Sequence, residues 1–516
     1  MDLTEASLSR TARALLAFLN RLLSQLANFF LAFIITPLIV ANLGAEMYGA
    51  WRIIQKCMRF LAMGHFKPMG LLKLILANEI GSEDQRKREL IGASLSIWVL
   101  TLPLLFGLAG VLLYFSPHII PVDKELQGQV FYSLLIAMAV VIIDPVLGMP
   151  NAVLKGMNME YRILGLDGFA TLLATLMIYF VVMHHYSLPW VVGVSTLQVW
   201  LISLVSYIVT KKALSWFGIN KPSKADIMVF FKLNLWTLLS TLSRNVFRSA
   251  DLILISMYFS VTAAAVYSLT LALMSRLLEP VLSLFQAGLP GVGDLLGRGE
   301  MQRVRQLRAE KIRALMFAAT VIGALVISFN QAFVGLWVGS EFFGGPTLSY
   351  WMIAAVTLTI LIRTESIFLD AALYMRENAI VLSCCALIYI VLVYVLKDTL
   401  GVIAIPVGQV IALTLLMFCY WVILRRGLNE SYRRLFALLF RPLLPASALL
   451  VLFSYSPAKI VDSWLMLFVE GAQFGLMASF LSWYLILDKW DRQRLSQRLL
   501  RLFNKKLKNS SVEELW

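Results

Sequence analysis

A chain of 516 residues that is 59% hydrophobic and only 15% charged, with a mean hydropathy of +0.79, has too little polar surface to cover a water-soluble body of that size. Lipid must solvate it. The formal net charge of +15 would suggest a nucleic-acid partner in a soluble chain, but the loop placement of the bases accounts for it here, and no aromatic-basic patch calls for nucleic acid.

The first apolar run follows Arg10 and Arg13, is too long for a secretory signal and lacks a small-residue cleavage site, which predicts an uncleaved first helix. Taken in chain order, apolar runs and polar breaks predict fourteen spans, at 18–42, 49–78, 91–115, 129–153, 163–183, 189–210, 230–257, 262–288, 314–338, 346–372, 378–396, 399–424, 442–457 and 464–487. The uncharged stretches 22–45, 90–122, 314–340, 342–362 and 399–424 each reach the roughly 20 residues that cross about 30 Å of hydrocarbon. The run 168–210 is long enough for two spans, and His184-His185-Tyr186-Ser187-Leu188-Pro189 in its middle reads as a turn.

Alternate connections differ sharply in charge. One set holds Arg86-Lys87-Arg88, Lys155 and Arg162, Lys211-Lys212 with Lys221 and Lys224, the run 298–313, Arg376 and the run 425–441; the other holds only Lys124, Lys397 and Lys459. That asymmetry places the basic set and both termini in the cytoplasm. The tail after Trp490 sets Leu495, Leu499, Leu502, Phe503 and Leu507 among Arg492, Arg494, Arg498, Arg501, Lys505 and Lys506, the pattern of a helix lying on an anionic membrane surface.

The chain repeats itself. Glu83-Asp84-Gln85-Arg86-Lys87-Arg88-Glu89-Leu90 matches Glu300-Met301-Gln302-Arg303-Val304-Arg305-Gln306-Leu307 at five of eight positions and an offset of 217. Leu43-Gly44 and Trp51 pair with Phe259-Ser260 and Tyr267 at 216, and Asn151-Ala152-Val153-Leu154 with Asp370-Ala371-Ala372-Leu373 at 219. A shared offset predicts two six-helix lobes in parallel arrangement, 1–215 (spans one to six) and 221–427 (spans seven to twelve), then spans thirteen and fourteen in 428–487 and a basic amphipathic cytoplasmic tail, 488–516. The fold class expected is an all-α polytopic membrane protein with about fourteen transmembrane helices.

Asn42-Leu43-Gly44-Ala45-Glu46-Met47-Tyr48-Gly49-Ala50-Trp51 resembles the turn after the first helix in the polysaccharide-transporter branch of the multidrug/oligosaccharidyl-lipid/polysaccharide exporter superfamily. Arg248-Ser249-Ala250-Asp251-Leu252-Ile253-Leu254-Ile255, with Tyr267-Ser268-Leu269 beyond it, resembles that family's seventh helix and following turn; Val153-Leu154-Lys155-Gly156 with Met159-Glu160-Tyr161-Arg162 is similar to the cytoplasmic end of its fourth. His65-Phe66-Lys67-Pro68 and Ser260 depart from the pattern. The resemblance implies two six-helix lobes around a central cavity that opens alternately to either side, in the bacterial cytoplasmic membrane. The cargo it implies is a polyprenyl-pyrophosphate-linked oligosaccharide, with membrane lipids, a polysaccharide polymerase or glycosyltransferases as partners.

Independently of any family, Arg52, Lys56 and Arg59 stand at spacings of four and three on one face of the second predicted span. Facing lipid, three such bases would cost roughly 8 to 10 kcal/mol, so they face protein or water. Arg244 and Arg248 on span seven and Arg276 on span eight extend the set of candidate substrate-binding bases. Guanidinium groups suit a pyrophosphate bidentately. The competing reading is ion pairing: Arg248 with Asp251 and Arg276 with Glu279, three apart, with Glu365, Asp370 and Asp144 as further acids; Asp251, Glu279, Glu365 and Asp370 are also the candidates for ion coupling.

No catalytic residue, metal ligand or cofactor is expected. His65, His118, His184 and His185 do not cluster with acids or cysteines; Cys57, Cys384, Cys385 and Cys419 read as packing residues; no glycine loop for ATP is visible. Two alternatives remain. A multidrug antiporter of the same superfamily would favour acidic cavity residues, and a membrane enzyme acting on lipid-linked sugars would need more than the external connection 116–128 offers.

Overall fold

A computed structural model describes the backbone of residues 10–504 other than 67, 80, 164, 288–291, 293–294, 297, 373, 429 and 456–460. Side chains are described from residue 33 onward, leaving out in addition 78, 229, 232–237, 279–280, 282–287, 427–428, 495 and 498–504. Among these residues the chain is helical with no strand. Ten helices are long and apolar enough to cross a membrane, or up to eleven if one bent pair counts as a span; one of the ten, Met375–Arg426, is 52 residues long and holds two helices. The protein is a multi-pass all-α membrane protein. Leu387, Leu465 and Leu476, 65%, 76% and 73% exposed, are surface that only lipid can cover in such numbers.

Two compact units divide the chain, Met1–Ala265 and Val266–Trp516. In the first, α1 (Arg10–Leu61) is two helices joined across Gly44, whose φ of 79° and ψ of 166° fall outside the helical range. Glycine takes positive φ without steric cost, so the turn expected after the first span is a kink at this residue. Gly49 then lets α1 close on the start of α9 (Val261–Thr270), where a Cβ would strike the Val261 carbonyl oxygen.

The second predicted span, 49–78, is not one helix. After α1 come a 3-10 turn, Ala62–His65, and Phe66 at φ 58°, before α2 (Pro68–Asn78) begins. Pro68 is the cause, because it has no N–H to donate and its ring disfavours helical geometry in the residue before it. The departure noted at His65-Phe66-Lys67-Pro68 is therefore a physical break. The remaining helices of this unit are α3 (Asp84–Ile119), α4 (Lys124–Gly156), α5 (Leu166–Met183), α6 (Leu188–Ser195), α7 (Leu197–Ala213) and α8 (Lys224–Tyr258). Thr196 splits the sixth predicted span into α6 and α7.

The core of the unit gathers Leu72 and Leu76 of α2, Leu90, Ile91 and Ile97 of α3, Val153 of α4 and Phe230 of α8. At its charged end, Arg86 of α3 grips Asp226 of α8 with two bonds, Nη1 to Oδ2 at 2.8 Å and Nη2 to Oδ1 at 2.7 Å. Ser223 caps α8, its Oγ accepting from the Asp226 amide at 3.1 Å and donating to Asp226 Oδ2 at 2.6 Å. The Arg86 bonds, with help from Ser223, hold the Asp226 carboxyl down to about 2 against the opposing effect of burial.

The second unit contains α10 (Ala272–Ala287), α11 (Met301–Trp337), α12 (Pro346–Ala371), α13 (Met375–Leu400), α14 (Ala404–Leu428), α15 (Tyr432–Ser454), α16 (Trp464–Leu485) and α17 (Lys489–Asn504). α11 packs on α12, α15 and α16 through Ile322, Val326, Ile353 and Ile360 on one side and Ala324, Leu449, Phe453 and Ala478 on another. It starts at Met301, so most of the basic run 298–313, expected as a connection, is helix.

α3 begins at Asp84 and α11 at Met301, 217 residues apart; α1 breaks at Gly44, and α8 gives way to α9 at Phe259-Ser260. The packing division after Ala265 falls later than the repeat boundary near Lys221, because α8 packs against α1 and α3.

Candidate functional site

The stripe predicted on the second span lies on α1 downstream of the Gly44 kink, and α8 supplies its neighbour. Lys56 Nζ donates to Asp251 Oδ1 at 2.8 Å and to the Arg248 carbonyl at 2.7 Å, both across 190 residues of chain or more. The stretch from Arg52 to Lys73 holds no acid, and the structure supplies one from another helix. Asp251 pairs with Lys56, and Arg248, three residues before it, takes part in further interactions.

This bond fixes which faces meet. Arg52 and Arg59 flank Lys56 on α1 and repel its charge, while Arg244 and Arg248 precede Asp251 on α8 at spacings of seven and three. Four guanidinium groups thus ride on two helices pinned together by one buried lysine–aspartate pair. Arg52 Nη1 donates to Gln55 Oε1 at 3.1 Å, while its Nε is buried with no partner among the described residues. An N–H shielded from water and protein costs about 1–3 kcal/mol. Arg59 and Arg248 are exposed and Arg244 is half-buried; all three take part in further interactions. Asn245 lies between, its Nδ2 donating to Met63 Sδ at 2.9 Å.

Behind this stripe, His65 Nε2 donates to the Val141 carbonyl at 2.6 Å. Asp144, one turn along α4, is close enough for its charge to act on that ring.

Arg276 belongs to the second unit, half-buried on α10 and engaged in further interactions. The side chain of Glu279, its suggested partner, lies outside the described residues. Glu365 is one corner of a buried triad: Arg308 Nε and Nη2 donate to its two oxygens, each at 2.6 Å, and Arg308 Nη1 donates to Glu430 Oε2 at 2.7 Å. Asp370 Oδ1 accepts from Asn378 Nδ2 at 2.6 Å, and Asn378 in turn bonds Ser366 and Tyr420. Among the described residues no three His, Cys, Asp or Glu side chains are grouped to hold a metal ion.

Arg308 escaped the sequence reading because it stands in a basic run that reads as a loop. The signal was there in its spacing. Val304, Arg308, Ile312 and Leu315 recur at helical intervals and are all buried, so Arg308 occupies a core position on the apolar face of α11.

Comparison with known proteins places this arrangement. The structure is similar to the lipid II flippase MurJ in its inward closed conformation, over 96% of this chain and 99% of that one, with a TM-score of 0.64 and 12% identity. It is similar also to the inward-facing conformation of a multidrug resistance MATE family transporter (79% and 96% covered, TM-score 0.61, 15% identity). The MATE multidrug transporter DinF-BH matches over 84% of this chain and 100% of that one, with a TM-score of 0.58 and 16% identity. At these identities the likeness establishes a shared fold. No curated protein matches the chain significantly by sequence. Residues 18–293, more than half of the chain, match the family described as polysaccharide biosynthesis protein. The chain therefore belongs to the polysaccharide biosynthesis protein family.

Proposed function

We propose that this protein translocates an anionic polyprenyl-pyrophosphate-linked oligosaccharide outward across a bacterial cytoplasmic membrane by alternating access, with both termini in the cytoplasm. The observation that carries the reading is Arg52, whose buried Nε has no partner among the described residues, beside the pair that locks α1 to α8. A pyrophosphate brings the acceptor oxygens such a donor needs, and guanidinium forks bind them bidentately. In this reading Lys56 positions the helices, while Arg52, Arg59, Arg244 and Arg248 meet the headgroup. The family and the multi-pass fold support a transporter rather than an enzyme, with a polymerase or glycosyltransferases acting before and after it.

The drug-export alternative needs carboxylates ready for a cation. Asp251 and Glu365 are each already bonded to a base at 2.8 Å or less, which weighs against it. In cells that depend on this protein for polysaccharide export, Arg59→Ala is expected to abolish export at unchanged membrane abundance. Normal export by that variant would remove the headgroup role.

A further inference from the structure

A second basic site lies within the second unit. A cavity of about 740 Å³ opens between the first turns of α11 and of α15 and the end of α16. α11 contributes Arg305 and Arg313 and α15 contributes Arg433, Arg434 and Arg441. The spacing makes it a face: Arg434 and Arg441 are seven apart on α15, and Gln302, Arg305, Ala309 and Arg313 follow the same helical rhythm on α11.

Two acids also line the cavity, and both are occupied. Glu430 is bonded to Arg308 at 2.7 Å, and Asp488 stands 3.6 Å from Arg313, which Asp491 also grips. Arg305, Arg433, Arg434 and Arg441 form no ion pair among the described residues, and Arg305 Nε is buried without a hydrogen-bond partner. Four guanidinium groups converging on a cavity of ligand size, one carrying an orphaned donor, call for an anion with several oxygens.

We propose that this cavity binds the phosphate headgroup of an anionic phospholipid from the leaflet on the arginine-rich side of the membrane. Free polyphosphate shares the chemistry, but the surroundings favour a lipid. Leu438, Pro442, Leu485 and Ile486 form an apolar part of the wall. From that wall the exposed Leu476, Phe480 and Tyr484 of α16 continue as a surface for hydrocarbon. Trp490, half-open at the start of α17 with Arg494 stacked 3.8 Å above it, is the residue type that settles at headgroup level. A lipid held here ties α15 to α11 by its headgroup while its chains stay in the bilayer.

The test is lipid retention by the purified full-length protein, read by native mass spectrometry after exposure to equal amounts of phosphatidylglycerol and phosphatidylcholine. The wild type is expected to keep phosphatidylglycerol selectively, and Arg305→Gln/Arg434→Gln to weaken that retention by about fivefold for each guanidinium removed. Arg303→Gln removes the same charge from α11 outside the cavity, at a residue paired with Glu300 at 2.6 Å, and should leave retention unchanged. An unshifted thermal unfolding midpoint would show that the double variant is folded. Equal retention of both lipids, an unchanged double variant, an equal loss in Arg303→Gln, or displacement of phosphatidylglycerol by equimolar inorganic pyrophosphate would each overturn the proposal.

Discussion

Lys56 and Asp251, 195 positions apart in sequence, meet at 2.8 Å inside the first unit and bind α1 to α8. Both charges have left water, so the pair adds little net stability, yet removing one partner strands the other in a low-dielectric setting. Lys56→Met or Asp251→Leu alone should destabilise the protein by roughly 3–5 kcal/mol, and the double variant should recover most of that loss. Thermal unfolding in detergent checks both. If the double variant were as unstable as the sum of the singles, the pair would not be the clamp described.

Arg308 uses all three nitrogens of its guanidinium on Glu365 and Glu430. A lysine ammonium carries the same charge but cannot serve two carboxylates in that fork geometry. Arg308→Lys should therefore fall about as far in stability as Arg308→Met, by about 3 kcal/mol or more, because both strand a buried acid. A lysine variant matching the wild type in unfolding midpoint would contradict the bidentate account.

The Arg86–Asp226 clamp makes a prediction about acid. Because folding lowers the Asp226 carboxyl from 3.8 to about 2, its contribution is fully present above about pH 4 and is lost as pH falls toward 2. Asp226→Asn should lower the unfolding midpoint at neutral pH, and the gap from the wild type should close as the pH drops through that window. A gap that is constant with pH would mean the carboxylate charge plays no part.

Much of this architecture was legible because lipid imposes a simple rule on composition. Runs of some 20 apolar residues give helices whose ends agree with the predicted ones to a few residues at several spans, as at 346–372 against Pro346–Ala371, while α11 and α15 begin well before the predicted starts at 314 and 442, at Met301 and Tyr432. The Gly44 turn could be read from the residue that tolerates positive φ, whereas the starts of α3 at Asp84 and of α11 at Met301 fall in basic stretches that read as connections.

Pairing was less legible, since sequence spacing reveals only partners within a turn or two of helix. Spacing offers Asp251 a base three residues away in Arg248, whereas its bond to Lys56 arises only from the packing of two distant helices. Arg308 was hidden for a different reason: charge density suggests a loop, and burial of a base becomes visible only when the apolar rhythm around it is weighed. The break at Phe66 stood out as an irregularity before its conformation was known, because a proline two residues later cannot continue a helix unaided.

The central claim is that the arginines of α1 and α8 take up a pyrophosphate headgroup, and equilibrium binding to the purified protein tests it most directly. A short-chain polyprenyl pyrophosphate should bind the wild type far more tightly than the matching uncharged polyprenol. Arg52→Ala should weaken that binding by about 10- to 100-fold, the worth of a charge-assisted hydrogen bond of ~1.5–3 kcal/mol, with no change for the polyprenol. Equal affinity of the wild type for the two ligands, or undiminished pyrophosphate binding by Arg52→Ala, would contradict the account.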